Sequence, residues 1–206
     1  MPHWLDFLFP PRVDEKALRD ISPDEFLAHI APRLAPMTRP GTIVLLSFSD
    51  TLVRAAIHEA KYHGSEHAFT LLSLTLADYL QDFDDDNYGH RKSIILVPVP
   101  LGKERRKERG YNQAEEVAKR AARELDIVVD ASLLERTRET STQVSLDRDA
   151  RERNMRGAFK TTRPADPART YILVDDVLTT GATLQAAVGA LHEAGAENII
   201  PLALAH

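Results

Sequence analysis

Tyr171-Ile172-Leu173-Val174-Asp175-Asp176-Val177-Leu178-Thr179-Thr180-Gly181-Ala182-Thr183 is the stretch on which the fold turns. Its first four residues form an unbroken apolar run, the pattern of a strand buried on both faces in a parallel sheet. Two adjacent carboxylates follow, then a loop of hydroxyls with one glycine, then helical spacing from Thr183 to Ala194 that stops at Gly195. In open parallel sheets, ligands bind outside the carboxyl ends of the strands. Carboxylates accept hydrogen bonds, so Asp175 and Asp176 suit a pair of vicinal sugar hydroxyls, directly or across a divalent cation. Thr179 to Thr183 opens a helix N-terminus, where free N–H groups and the helix dipole favour phosphate. Gly181 permits close backbone approach, and the threonines add donors without bulk. Capping a helix needs one such residue, whereas two acids, three threonines and a glycine fall within nine positions here. No Lys follows the glycine and the acids come first, so this is not a Walker loop. The composition fits a ribose 5-phosphate cradle over Asp175, Asp176, Val177, Leu178, Thr179, Thr180, Gly181, Ala182 and Thr183, with Asp175 and Asp176 as candidate catalytic acids.

Working outward, Ser93 to Val99 is a second apolar strand, and Gln113 to Leu125 puts Ala114, Val117, Ala118, Ala121, Ala122 and Leu125 on one helical stripe. Ile127 to Val129 and Ile199 to Leu204 read as further strands, separated from the quoted stretch by a polar, arginine-rich segment from Leu134 to Arg156 and by the Thr183 helix. Strand–helix alternation of this kind predicts an α/β fold with a central, mainly parallel sheet flanked by helices. Upstream, Ile43 to Phe48 reads as a strand, and Asp50 or Thr51 caps a helix that Gly64 stops. A helix over Ala68 to Leu80 ends in the acidic turn Asp82 to Asn87. Before these lies a proline-rich segment. Ser22-Pro23-Asp24-Glu25 signals a helix start, read here as running to about Leu34, followed by a linker closing at Pro40-Gly41. This divides the chain into an N-terminal appendage or hood, residues 1–40, and a main domain, residues 41–206.

Composition narrows the function classes. The 206 residues are 43% hydrophobic and 28% charged, which is ordinary globular usage and argues against disorder or a coiled coil. Cysteine is absent, removing disulfides, thiolate zinc sites, iron–sulfur clusters and cysteine nucleophiles together. The net charge of −5 provides no whole-protein basic field for nucleic acid. No apolar stretch approaches a membrane span, and Leu5 to Phe9 lacks the basic lead-in and cleavage site of a signal peptide, so a cytoplasmic location without membrane insertion is expected.

The strand Ser93 to Val99 leads into Pro98-Val99-Pro100-Leu101-Gly102 and then Lys103-Glu104-Arg105-Arg106-Lys107-Glu108-Arg109, in which five of seven residues are basic. A charged run is usually a solvated face. This one leaves the same end of the sheet as the acidic loop, where a polyanion needs cations.

The Asp175–Thr183 stretch closely resembles the phosphoribosyl pyrophosphate (PRPP) signature of type I phosphoribosyltransferases. Pro98-Val99-Pro100-Leu101 with the following arginines, and Arg109-Gly110-Tyr111-Asn112-Gln113-Ala114, are similar to the ComF branch, phosphoribosyltransferase-like proteins associated with DNA uptake in competent bacteria. Leu8-Phe9-Pro10-Pro11, Ile57 to Gly64, Arg136 to Gln143 and Arg153-Asn154 to Phe159 agree with it. The resemblance implies a type I phosphoribosyltransferase fold. It implies paired acids on the ribose hydroxyls and a Thr/Gly loop on the 5′-phosphate. It also implies a diphosphate loop over Pro98, Val99, Pro100, Leu101, Lys103, Arg105 and Arg109, and a flexible loop carrying Arg136, Arg138 and Gln143. Lys61 becomes a possible ligand residue, although a lysine in a last helical turn also suits the dipole. Arg148, Arg151, Arg153 and Arg156 are read instead as partners of Asp147, Asp149 and Glu152 on a helix surface.

The implied chemistry is transfer of a phosphoribosyl group from PRPP to an unknown acceptor, with Mg²⁺ held mainly by ligand oxygens and indirectly by Asp175 or Asp176. The acceptor would face a hood built from the N-terminal part and residues Leu202 to His206. The chain departs from the family in having no N-terminal zinc-binding cysteines. His3 and His29 cannot replace them, so no zinc is expected and Trp4, Leu5, Leu8 and Phe9 would hold the N-terminal segment by apolar contact. The alternative function is a non-catalytic PRPP-binding accessory protein working with single-stranded DNA or the uptake machinery, and an oligomer is possible. Phosphatase chemistry at Asp175 is disfavoured by the lack of a second acidic cluster at a later strand end.

Overall fold

The computed structural model describes residues 13–86, 93–138, 155 and 157–206, with the side chains of 13–16 and 83–86 left out. Gln143, the arginines at 148, 151, 153 and 156, and Trp4, Leu5, Leu8 and Phe9 lie outside the described residues.

The chain begins with helices α1 (Val13–Asp20) and α2 (Pro23–Leu27), strands β1 (Ile30–Ala35) and β2 (Thr42–Leu46), and helix α3 (Thr51–His58). A π-helical turn, Glu59–His63, leads to α4 (Glu66–Asp86) and β3 (Ile94–Pro98). Then come α5 (Lys103–Arg109), α6 (Gln113–Leu125), β4 (Val128–Val129), β5 (Leu134–Arg136) and β6 (Phe159–Thr161). The last elements are β7 (Thr170–Val177), α7 (Ala182–Glu193) and β8 (Asn198–Ala205). Six strands form one sheet in the order β1-β2-β8-β7-β3-β4, parallel except for the β1–β2 pair. The α/β fold with a mainly parallel sheet is therefore as the sequence implies.

β7 lies centrally because both its faces are apolar. Even-numbered Ile172 and Val174 join the layer of α3, α4 and α6, while Tyr171 and Leu173 join the layer of α7, β5 and β6. Complete burial of such a side chain stabilises the fold by about 1.5–3 kcal/mol. The expected stripe on α6 is buried as a unit against the first of these layers.

Four expectations need correction. Ser22 does form a capping box with Glu25, but the helix it starts ends at Leu27, not near Leu34. Pro32 has no N–H to offer and disfavours helical geometry at Ala31, so Ile30–Ala35 runs extended along the sheet edge, where a proline is tolerated. The acidic residues expected in a turn after Leu80 continue α4 as far as Asp86. The arginine-rich segment contains the short strand β5, paired antiparallel with β6. Finally, β7 does not end at Val174; Asp175 pairs with Ala203 and Val177 with Ala205 in the ladder to β8.

Candidate functional site

Because β7 includes the two acids, they project to opposite faces of the sheet. Asp176, in phase with Val174, faces the layer that carries the π-helical turn, and its Oδ1 lies 3.0 Å from Lys61 Nζ. Asp175, in phase with Leu173, faces the layer of β5, where the Arg136 cation acts on it. The Asp175 carboxyl is pushed up to about 7 by burial and by the neighbouring Asp176 charge, against the pull of the Asp176 N–H, Lys61 and Arg136. The Asp176 N–H donates to Asp175 Oδ1 at 2.9 Å. Neither acid is buried as a core partner. Both straddle the strand end; Lys61 pairs directly with Asp176 and, together with Arg136, acts on Asp175.

Beyond β7, Leu178 is buried, with its N–H donating to Ala205 O, while Thr179 is exposed and Thr180 half-buried. Gly181, at φ 79°, caps α7, and the Ala182 N–H reaches Thr180 Oγ1 at 3.5 Å. N–H groups of a first helical turn have no intrahelical acceptor, so the start of α7 has the amide chemistry of an anion site. The turn between β1 and β2 backs this loop from the other side. Arg39 N–H donates to Gln185 Oε1 at 2.7 Å, and Met37 and Thr38 press against Gly181.

The expected diphosphate loop is in fact a loop followed by a helix. Pro98 ends β3, Val99 is buried and its N–H bonds Val174 O, Pro100 and Leu101 are half-buried, and Gly102 caps α5. Arg105 and Arg109, one helical turn apart, both act on the Tyr62 phenol, whose pKa burial pushes up, while Asp176 raises it and the two arginines lower it. The Arg109 guanidinium stacks over the Tyr62 ring at 5.1 Å. Lys103 is exposed, and Arg106 turns away to Glu115 at 3.3 Å. Arg136 stands at the end of β5 with its guanidinium 5.6 Å from the Phe159 ring, so it belongs to a strand, not a loop; Arg138 is exposed just beyond. Leu202–Ala205 are fully buried in β8 and cannot wall a hood; His206 alone reaches the rim, with Nδ1 2.9 Å from Leu178 O. His29 sits 2.6 Å from the N-cap residue Asp50.

The motif Arg109-Gly110-Tyr111-Asn112-Gln113 proves to be the clamp that sets Lys61. Tyr111 Oη donates to Ala60 O at 2.8 Å, Gln113 Nε2 to Lys61 O at 3.2 Å, and Asn112 Nδ2 to Val99 O at 2.9 Å. Arg109 braces Gln113 at 3.2 Å. The motif thus ties the Lys61 turn to the end of β3, a role that residue types alone do not reveal for Tyr111, Asn112 and Gln113. Tyr111→Phe is expected to lower stability by about 1 kcal/mol, the worth of one net hydrogen bond, and to leave the turn less well held, a loss that urea denaturation measures.

Residues 107–206 match the family described as "Phosphoribosyl transferase domain". The parallel sheet with its acid–threonine strand end thus belongs to the phosphoribosyltransferase-like class of α/β domains. Competence protein F of Haemophilus influenzae is 38% identical over 106 residues, 50% of this chain and 46% of that protein. DNA utilization protein YhgH of Escherichia coli (strain K12) is 35% identical over 129 residues, 62% of this chain and 56% of the relative. Competence protein ComFC of Bacillus subtilis is 36% identical over 105 residues, 50% of this chain and 40% of that protein. The chain spans about half the length of the curated relatives it matches. The chain is thus similar to phosphoribosyltransferase-like proteins of the ComF kind. No helix among the described residues is long and apolar enough to cross a membrane.

Proposed function

We propose that this protein binds PRPP with Mg²⁺ at the end of β7 and transfers the phosphoribosyl group to an acceptor, releasing diphosphate. The observation that carries the reading is the convergence at one sheet end of two carboxylates, both under the charge of Lys61, with a phosphate-type amide loop. Asp175 and Asp176 accept hydrogen bonds from the ribose hydroxyls, and the amides after Thr180 hold the 5′-phosphate. Lys61, Arg105 and Arg109 supply positive charge for the diphosphate. As the anomeric carbon–oxygen bond breaks, the electron pair leaves with diphosphate, and a nucleophile on the acceptor forms the new bond to that carbon. Positioning and charge neutralisation account for most of the acceleration in such a step. The site offers hard carboxylate oxygens, donors that suit Mg²⁺ held partly through ligand oxygens and water. Magnesium supplies charge neutralisation on the diphosphate when bound.

Calorimetric titration of the protein with PRPP and Mg²⁺ tests this reading. Saturable binding is expected, weakened roughly tenfold or more by Lys61→Ala, because a charged contact of this kind contributes about 1.5–3 kcal/mol. No heat of binding in the wild-type protein overturns it.

A second reading rests on the exposed outer face of α5, where Lys103 and Lys107 lie one turn apart, and on relatives named for competence and DNA utilization. On this reading the chain is a PRPP-binding accessory to DNA uptake that engages single-stranded DNA. Salt-dependent retention of single-stranded DNA, reduced by Lys103→Ala with Lys107→Ala, supports it; retention indifferent to both counts against it.

A further inference from the structure

The turn that carries Lys61 also assembles a second cluster, on side chains the proposed reaction does not use. His58 and His63 are five positions apart, which on an α-helix would separate them by about 140°. The π-helical hydrogen bond from the Gly64 N–H to Glu59 O winds the segment wider and brings the two imidazoles to one side, ring centroids 5.4 Å apart. Glu59 stands with them. Its Oε1 lies 3.9 Å from His63 Nε2, and one ligand atom from each of His58, Glu59 and His63 falls within 4.8 Å of the others.

We propose that His58, Glu59 and His63 form a site for a divalent transition-metal ion of the zinc class, with the fourth position open to water or to a ligand group. Two imidazoles and one carboxylate are the donor set of three-ligand zinc sites and are a poor match for Mg²⁺. Bonds of about 2.0–2.1 Å in tetrahedral geometry place ligand atoms about 3.4 Å apart, so the present cluster needs only a small inward rotation. That rotation falls to His63, whose side chain is 54% exposed, while Glu59 is held at 18% and His58 packs on the Tyr62 ring at 4.8 Å. The backbone beneath is fixed. Gly64 closes the turn at φ 60°, and Tyr111 and Gln113 bond the carbonyls of Ala60 and Lys61. A site whose supporting shell is already bonded is prepared for its ion. None of the three side chains is one assigned to the phosphoribosyl site, so the proposal does not rest on that reading.

The test uses the full chain without a histidine tag, stripped of metal, titrated with Zn²⁺ against a chromophoric chelator and separately with Co²⁺. One equivalent is expected to bind tighter than about 10 µM, with Co²⁺ developing the intense visible bands of a four-coordinate ion. His63→Ala, which removes an exposed side chain and leaves the fold intact by circular dichroism, is expected to weaken binding at least tenfold and to erase those bands; His58→Asn acts likewise. The proposal is overturned if neither ion binds tighter than about 100 µM, or if the folded His63→Ala protein keeps the wild-type affinity and stoichiometry.

Discussion

Asp175→Asn is expected to raise the melting temperature above pH 7 while abolishing the binding of PRPP with Mg²⁺. The two effects have one cause. The Asp175 carboxyl is lifted from the ordinary 3.8 to about 7, first by burial and second by the adjacent Asp176 charge. A carboxyl whose folded pKa is raised holds its proton longer in the native state than in the unfolded chain. Between pH 4 and 7 the native state binds more protons, so stability falls as pH rises through that window and stays low above it. Asn is nearly isosteric, still accepts from the Asp176 N–H through Oδ1, and carries no charge to desolvate. Allowing for partial solvent access, the gain at pH 8 is on the order of 2 kcal/mol, or roughly 5 °C for a domain of this size. It shrinks towards pH 4. Binding moves the other way, because an amide is a poorer partner for ribose hydroxyls and a cation than a carboxylate, and a loss of about a hundredfold or more is expected. Calorimetry at pH 8 and melting curves at pH 5 and 8 measure both. A variant that melts no higher than wild type at pH 8 would show that Asp175 carries no strained charge. The same linkage predicts that PRPP binding by the wild type weakens below pH 7 and releases a proton near that pH, visible as a buffer-dependent heat.

The residues at this strand end were readable from the sequence, but their arrangement was not. Apolar runs mark β3 and β7 plainly, and the stripe on α6 gives its bounds to the residue, because burial on one helical face leaves a strict spacing. The reading of β7 stopped at Val174 because polarity begins there, yet the ladder to β8 continues to Val177. Two residues of period-2 geometry decide that Asp175 and Asp176 face opposite layers, and no composition rule contains that. Lys61 was found by family resemblance; its contact with Asp176 depends on a π-helical turn for which the sequence has no distinct signal. Ser22 is a sound N-cap, but the missing N–H of Pro32 outweighs it further on and the chain runs extended there. β5 and β6, at three residues each, are too short to show a period and are held by Leu134 and Phe159 packing under α7.

Gly181→Val carries the second large effect, since it joins the cradle to the segment before β2. Gly181 sits at φ 79°, where a β-branched residue is strained, and a Cβ built there lies 3.1 Å from Met37 Cβ, Met37 O and Thr38 Cγ2. The carbonyl cannot yield easily. Its turn is closed by Thr38 Oγ1 donating to Pro40 O at 2.6 Å and anchored by Arg39 N–H on Gln185. Gly110, at φ 81° with nothing near its absent Cβ, isolates the backbone contribution, and Gly110→Val is expected to lose about 1–2 kcal/mol. Gly181→Val should lose about 3 kcal/mol or more, the excess reporting the clash with Met37 and Thr38. Ligand binding should fail as well, because relieving the clash shifts the amides of Ala182 and Thr183 away from the phosphate. Urea denaturation of both variants separates the two contributions. Equal losses would mean that the β1–β2 turn does not press on the cradle.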